Sequence, residues 1–105
     1  MSRDNRGAIA VTVRFFAHFR ETFGGKERVL KTDKGTTIAR LLESLGDDPG
    51  RRAELFAGGG PVFPAALKPH VVVMINGENL SARGGLGAEL HDGDTVAVFP
   101  LMGGG

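Results

Sequence analysis

The last three residues, Gly103, Gly104 and Gly105, have the clearest chemical use in this sequence. A terminal carboxylate is inert until one of its oxygens becomes a leaving group. Adenylation by ATP on a partner enzyme achieves that, provided the partner admits the tail to its active site. Glycine suits such a path, because without a Cβ it threads a narrow channel and takes φ values closed to other residues. The activated acyl group can then accept sulfur and become a thiocarboxylate. In that scheme the chain supplies a carboxyl group and a docking surface, and the partner supplies catalysis. The plain alternative is a frayed chain end.

Other reactive constellations are missing. The 105 residues include no Cys, which excludes disulfides, thiolate zinc sites and a Cys nucleophile. His18, His70 and His91 do not form an H-x-x-x-H pair and read as solvated side chains. Gly58-Gly59-Gly60 lacks the Lys-Ser/Thr that completes a phosphate loop. Gly84-Gly85-Leu86-Gly87 matches the GxxG clamp of some RNA-binding domains in form only, and a net charge of +1 argues against nucleic acid. Asp47-Asp48 is better explained by helix capping than by acid–base work. The expectation is a chain with no bound cofactor or metal that is not catalytic alone. The apolar run Val71-Val72-Val73-Met74-Ile75 is far short of the ~20 residues of a membrane span. Met1 to Gly7 is polar and lacks the apolar core of a signal peptide, so a cytoplasmic setting is expected.

The elements that must present the tail follow from periodicity. Ile9, Val11, Val13 and Phe15 alternate with Ala10, Thr12, Arg14 and Phe16, which predicts a strand with one buried face. Phe16, Phe19 and Phe23 have helical spacing and predict a short turn before Gly24-Gly25. Glu27 to Thr32 then returns as a hairpin partner, with Val29 and Leu30 on opposite faces. Ile38, Leu41, Leu42 and Leu45 make one apolar stripe, predicting the principal helix over Thr37 to Leu45, capped by Thr36 and ended by a left-handed Gly46. A minor helix is predicted over Pro49 to Ala57 with Asp48 as N-cap. Gly58 to Pro69 reads as a mobile surface loop. Val71 to Ile75 reads as a central strand buried on both faces. Asn76-Gly77 is a turn, a short segment follows at Leu80, and Asp92-Gly93 leads into a last strand, Thr95 to Phe99, whose pairing Pro100 ends. This order predicts an α+β fold of β-grasp (ubiquitin-like) type, a mixed sheet of 4–5 strands with one principal helix on one face. Residues 1–8 are expected as a disordered arm, 9–101 as the domain and 102–105 as a flexible tail.

Three segments also resemble a known family. Val11-Thr-Val-Arg-Phe-Phe-Ala-His-Phe-Arg-Glu-Thr-Phe-Gly24 resembles the start of the MoaD/ThiS sulfur-carrier family, the Phe-Phe-Ala-x-x-Arg-Glu core being its specific part. Val73-Met-Ile-Asn76 matches that family's V-x-x-N strand. His91-Asp-Gly-Asp-Thr-Val-Ala-Val-Phe-Pro100 and the terminal glycines resemble its D-G-D-x-V-x-x-x-P…G-G ending. The chain is most similar to the MoaD branch, the small subunits of molybdopterin synthase. Three terminal glycines stand here where the family pattern has two.

The resemblance implies a sulfur carrier for molybdopterin, the molybdenum or tungsten cofactor. It implies that Gly105 carries the acyl-adenylate and then the thiocarboxylate, with Gly104 before it. It implies a docking patch at Phe16, Leu80 and Phe99, with Leu101, Met102 and Gly103 entering the partner. The implied partners are an E1-like adenylating enzyme of MoeB/ThiF type, which uses the ATP, and a large synthase subunit of MoaE type. Read from the strand alone, Phe16 either faces outward or packs under the Phe19/Phe23 turn. Two other functions share the same tail: a ubiquitin-like protein modifier, and a sulfur carrier for thiamine, tRNA or amino-acid synthesis. A structural module with an inert tail is the remaining reading.

Overall fold

The computed structural model describes residues 7–57 and 66–101. The expected arm (1–6 of it), the centre of the 58–69 loop (58–65) and the tail (102–105) lie outside the described residues. Strand β1 (Ala8–Phe15) buries Ile9, Val11, Val13 and Phe15 and turns the residues between them outward. Helix α1 (Phe19–Thr22) is a single turn that puts Phe19 and Phe23 into the core, where the Phe23 ring stacks on Phe15 with centroids 4.8 Å apart. Strand β2 (Glu27–Asp33) returns antiparallel to β1, with Val29 exposed and Leu30 packed against the core.

Helix α2 (Ile38–Leu45) buries the predicted stripe of Ile38, Leu41, Leu42 and Leu45. Its cap differs from expectation. Thr37, not Thr36, accepts the Arg40 amide, while the Thr36 hydroxyl donates to the Asp33 carbonyl. Gly46 is not left-handed, since its φ is −87°. Glycine is needed there for space: a Cβ would meet the Arg52 Cα at 3.0 Å, where helix α3 (Pro49–Leu55) crosses. Asp48 caps α3 as expected, accepting from the Arg51 amide. The chain leaves that helix two residues earlier than predicted. Phe56–Ala57 form strand β3, paired with strand β4 (Ala66–Leu67), a hairpin the Gly/Pro-rich composition concealed.

Strand β5 (Val71–Ile75) is not buried on both faces. Val71, Val73 and Ile75 are buried, but Val72 and Met74 remain partly exposed because, among the described residues, helices cover one face of the sheet. Asn76 (φ 51°) and Gly77 (φ 85°) turn the chain into strand β6 (Glu78–Asn79), the positive φ pair that a two-residue hairpin requires. Two short 3-10 turns follow, Leu80–Arg83 and Gly85–Gly87, and the GxxG segment forms the second of them. The last strand, β7 (Thr95–Pro100), does not stop pairing before Pro100. Pro100 stands opposite Val71, and the Leu101 amide still donates to the His70 carbonyl.

The main sheet has the order β2-β1-β7-β5-β6. Its central pair, β1 and β7, is parallel, and the other pairs are antiparallel. The mixed sheet with the principal helix on one face is the predicted architecture. Leu80, which the resemblance places on an exposed docking patch, is instead buried at 8% and belongs to the core cluster. Its removal from the surface follows from the Leu80–Arg83 turn, which folds back toward β5.

Candidate functional site

The described helices cover one face of the sheet, and among the described residues the other face is left uncovered. Its composition follows from period two along three adjacent strands. Phe16 leaves the end of β1, and its ring meets Phe99 edge-on at 5.7 Å between centroids with planes 78° apart. Phe99 stands opposite Val72 on β5. One step along the sheet, Glu27, Arg14, Ala97 and Met74 form a second row across β2, β1, β7 and β5. Val29, Thr12 and Thr95 form a third. Phe16, Val72, Met74, Ala97 and Phe99 are all partly exposed. Val29 and Leu101 are the exposed large apolar residues of the described chain, each at 59%.

Phe16 and Phe99 therefore lie together, as the resemblance implied, and Phe16 does not pack under the Phe19/Phe23 turn. Leu80 does not join them, for the reason given above. Leu101 follows directly from β7 and is exposed. Met102, Gly103, Gly104 and Gly105 lie outside the described residues. Arg14 shares the strand side that the sequence pattern gave to Phe16, whereas Val72, Met74 and Ala97 are members of this face that the sequence reading missed. The all-apolar run of β5 masks the alternation that turns Val72 and Met74 outward, and the signal for Ala97 was its period-two spacing from Phe99.

The ends of the sheet show what the recognised motifs do locally. Asp94 is buried at 7%. Its Oδ1 accepts from the Asn76 side-chain amide at 2.9 Å, and its Oδ2 accepts from the His91 backbone amide at 2.8 Å. The Asn76 side-chain oxygen accepts the Thr95 amide at 2.9 Å. Asp92 Oδ1 accepts the Ala10 amide at 2.8 Å, and the Gly93 amide donates to the Ala10 carbonyl. These bonds fix the β6–β7 end of the sheet to β1. At the opposite end, Ala17 takes φ 56°, and the Arg20 Nε donates to the Phe15 carbonyl at 3.1 Å. The Arg20 guanidinium thereby sits 5.7 Å from the Phe16 ring centroid, and that of Arg14 sits 5.4 Å from it. The motifs hold Phe16, Phe99 and the end of β7 in a fixed relation.

The histidines are dispersed. His18 Nε2 lies 3.1 Å from Glu54, His91 Nδ1 lies 3.9 Å from Asp94, and His70 contributes a backbone carbonyl. Among the described residues no group of three His, Asp or Glu side chains could hold a metal, and no helix is long and apolar enough to cross a membrane.

The family model that matches this chain is that of the ThiS family, over residues 13–105. The chain belongs to the ThiS family. Small archaeal modifier protein 3 of Haloferax volcanii is 37% identical over 94 residues, spanning 89% of this chain and 96% of that protein. The solution structure of small archaeal modifier protein 1 from Methanosarcina acetivorans matches with a TM-score of 0.78 at 30% identity, over 93% of this chain and 98% of that one. A putative molybdopterin converting factor, subunit 1, from Pyrococcus furiosus matches with a TM-score of 0.67 at 29% identity, over 90% and 99%. The fold is thus a ubiquitin-like β-grasp, and the ThiS-family chain is a member of the ubiquitin-like sulfur carriers and modifiers. The molybdopterin branch, to which the Phe-Phe-Ala-x-x-Arg-Glu start pointed, is one relative among modifier proteins.

Proposed function

We propose that this chain is a ubiquitin-like protein modifier that acts through the carboxyl group of Gly105. The observation that carries this reading is the 37% identity, across nearly the whole of both chains, to a protein named as a small archaeal modifier. The family match also runs to Gly105. The outer sheet face supports it, because Phe99 and the exposed Leu101 lead from the apolar patch directly toward the tail. A partner seated on Phe16 and Phe99 is positioned to receive the residues that follow.

The chemistry needs an E1-like adenylating enzyme. The Gly105 carboxylate attacks the α-phosphorus of ATP, forming the acyl-adenylate and releasing pyrophosphate. A Lys ε-amine of a target protein then attacks the acyl carbon, the C–O bond to AMP breaks, the amine loses a proton, and an isopeptide bond remains. ATP is the partner's substrate, and no cofactor is assigned to this chain.

The test is to incubate the tagged chain with ATP, the E1-like enzyme of the same organism and a cell extract. Covalent conjugates of higher mass that vanish when Gly105 is deleted are expected. Absence of any conjugate, with adenylation demonstrated, overturns the modifier reading.

The second reading is sulfur donation in molybdopterin synthesis, favoured by the 29% identity to a putative molybdopterin converting factor subunit. There a hydrosulfide-level donor attacks the acyl carbon of the adenylate, the C–O bond to AMP breaks, the sulfur loses its proton, and the resulting thiocarboxylate is used by a MoaE-type large subunit. Intact mass after incubation with ATP, a MoeB/ThiF-type enzyme and a sulfur donor separates the readings. Exchange of oxygen for sulfur adds about 16 Da, and a modifier that is never thiolated shows no such species.

A further inference from the structure

The outer face carries one group that an apolar patch does not call for. Arg14 sits in the second row, flanked on β7 by Ala97 and on β2 by Glu27, and two residues before Phe16. A partner that covers Phe16, Phe99 and Met74 must cover this guanidinium too. Its five N–H donors are poorly served among the described residues. The Glu27 carboxylate is 3.8 Å from Nε, beyond hydrogen-bond range, and both side chains are more than half exposed (53% and 56%). Arg20 stands on the other side of Phe16 and spends its Nε on the Phe15 carbonyl, and among the described residues it has no carboxylate partner. Two guanidiniums thus flank one aromatic ring, and among the described residues the acid recorded beside them is Glu27, loosely held next to Arg14.

We propose that the protein docking on this face presents a carboxylate to Arg14, beside an apolar pocket for Phe16 and Phe99, and that this pairing selects the partner. The proposal rests on the reading of this face as the docking surface. The physical reason is desolvation. A buried Arg with unfilled donors disfavours docking, whereas a planar carboxylate accepts two of its N–H groups at once. Glu27 cannot serve by being buried with Arg14, because its geometry leaves those donors open. Arg14 exchanges a weak, solvated neighbour for a two-pronged one. A second copy of this chain is a poor occupant, since a two-fold contact through this face brings its own guanidiniums together.

The experiment measures ATP–pyrophosphate exchange by the E1-like enzyme of the same organism as a function of carrier concentration. Arg14→Gln is expected to raise the carrier KM by about 30-fold or more, and Arg14→Glu further, with the loss in KM rather than kcat. Glu27→Gln is expected not to raise KM. Wild-type KM should climb with added salt more steeply than that of Arg14→Gln. If Phe16→Ala raises KM while Arg14→Gln and Arg14→Glu do not, the docking face stands and the carboxylate pairing is overturned. If none of the three raises KM, the docking reading itself fails. Concentration-dependent dimerisation abolished by Phe16→Ala overturns the proposal in favour of a self-contact. Thermal melts that match wild type exclude misfolding as the cause of any loss.

Discussion

The side-chain amide of Asn76 donates to Asp94 Oδ1 at 2.9 Å while its oxygen accepts the Thr95 amide, so Asn76 bridges the β5–β6 turn and the start of β7. The two motifs these residues belong to are separate in sequence and one device in the fold. Asp94 is buried, and replacing it with Ala strands two donors, the Asn76 amide and the His91 N–H. A hydrogen bond to a charged group contributes roughly 1.5–3 kcal/mol, so Asp94→Ala is expected to cost about 3 kcal/mol in urea unfolding. Against a total stability of roughly 5–15 kcal/mol that is a visible shift in midpoint.

Asn76 separates backbone from side-chain effects. Its φ of 51° suits Asn and Gly better than Ala. Asn76→Gly removes the bridge but keeps the backbone unstrained; Asn76→Ala removes both. The Ala variant is expected to be less stable than the Gly variant by about 1 kcal/mol. Equal stabilities by denaturant titration contradict the strain argument.

Leu80 and Phe16 are predicted to fail in opposite ways. Leu80 is a core residue at 8% exposure, so Leu80→Ala is expected to cost about 2–4 kcal/mol of stability. Phe16 is partly exposed and touches Phe99, so Phe16→Ala is expected to lower stability by about 1 kcal/mol or less and to weaken docking. Paired melts and carrier-dependent pyrophosphate exchange measure both. A Leu80→Ala variant with an unchanged melt and impaired docking returns Leu80 to the surface.

Ala17 offers a stabilising change. It joins β1 to α1 at φ 56°, where a Cβ is unfavourable, and it follows Phe16 directly. Ala17→Gly is expected to gain about 0.5–1 kcal/mol, and Ala17→Val to lose more than that, by thermal melt.

Much of this was legible in the sequence because each signal was local. The alternation of Ile9 to Phe15 and the stripe Ile38, Leu41, Leu42 and Leu45 give strand and helix by period alone. Asp48 before Pro49 gives a cap and a first helical residue. What was not legible depended on neighbours distant in sequence. Val72 and Met74 look like core in a run of apolar residues, and they are partly exposed because the described helices lie on the other face of the sheet. Gly46 reads as a left-handed stop, whereas the approach of Arg52 demands it. The resemblance sets Leu80 on the patch, whereas the Leu80–Arg83 turn that it opens folds it back into the core. Phe56–Ala57 and Ala66–Leu67 pair across a segment whose composition is all loop.

The terminal glycines allow a test of length as well as presence. A residue adds up to ~3.5 Å to an extended chain, so deleting one Gly retracts the carboxylate by that amount. A near-attack geometry tolerates far less, and misplacement by about 1 Å can cost about 100-fold. If Gly105 is the residue adenylated, removing Gly105 and removing Gly103 give the same chain, Leu101-Met102-Gly-Gly. That shortened chain is expected to lose at least about 100-fold in kcat for adenylation, with its melt unchanged. Restoring length with Gly103→Ala in the full chain should recover most of the rate, because the spacer then differs in side chain and not in reach. A two-glycine tail adenylated as fast as the natural one means that the partner reads the tail from Leu101 and Met102, with the third glycine outside the reacting register.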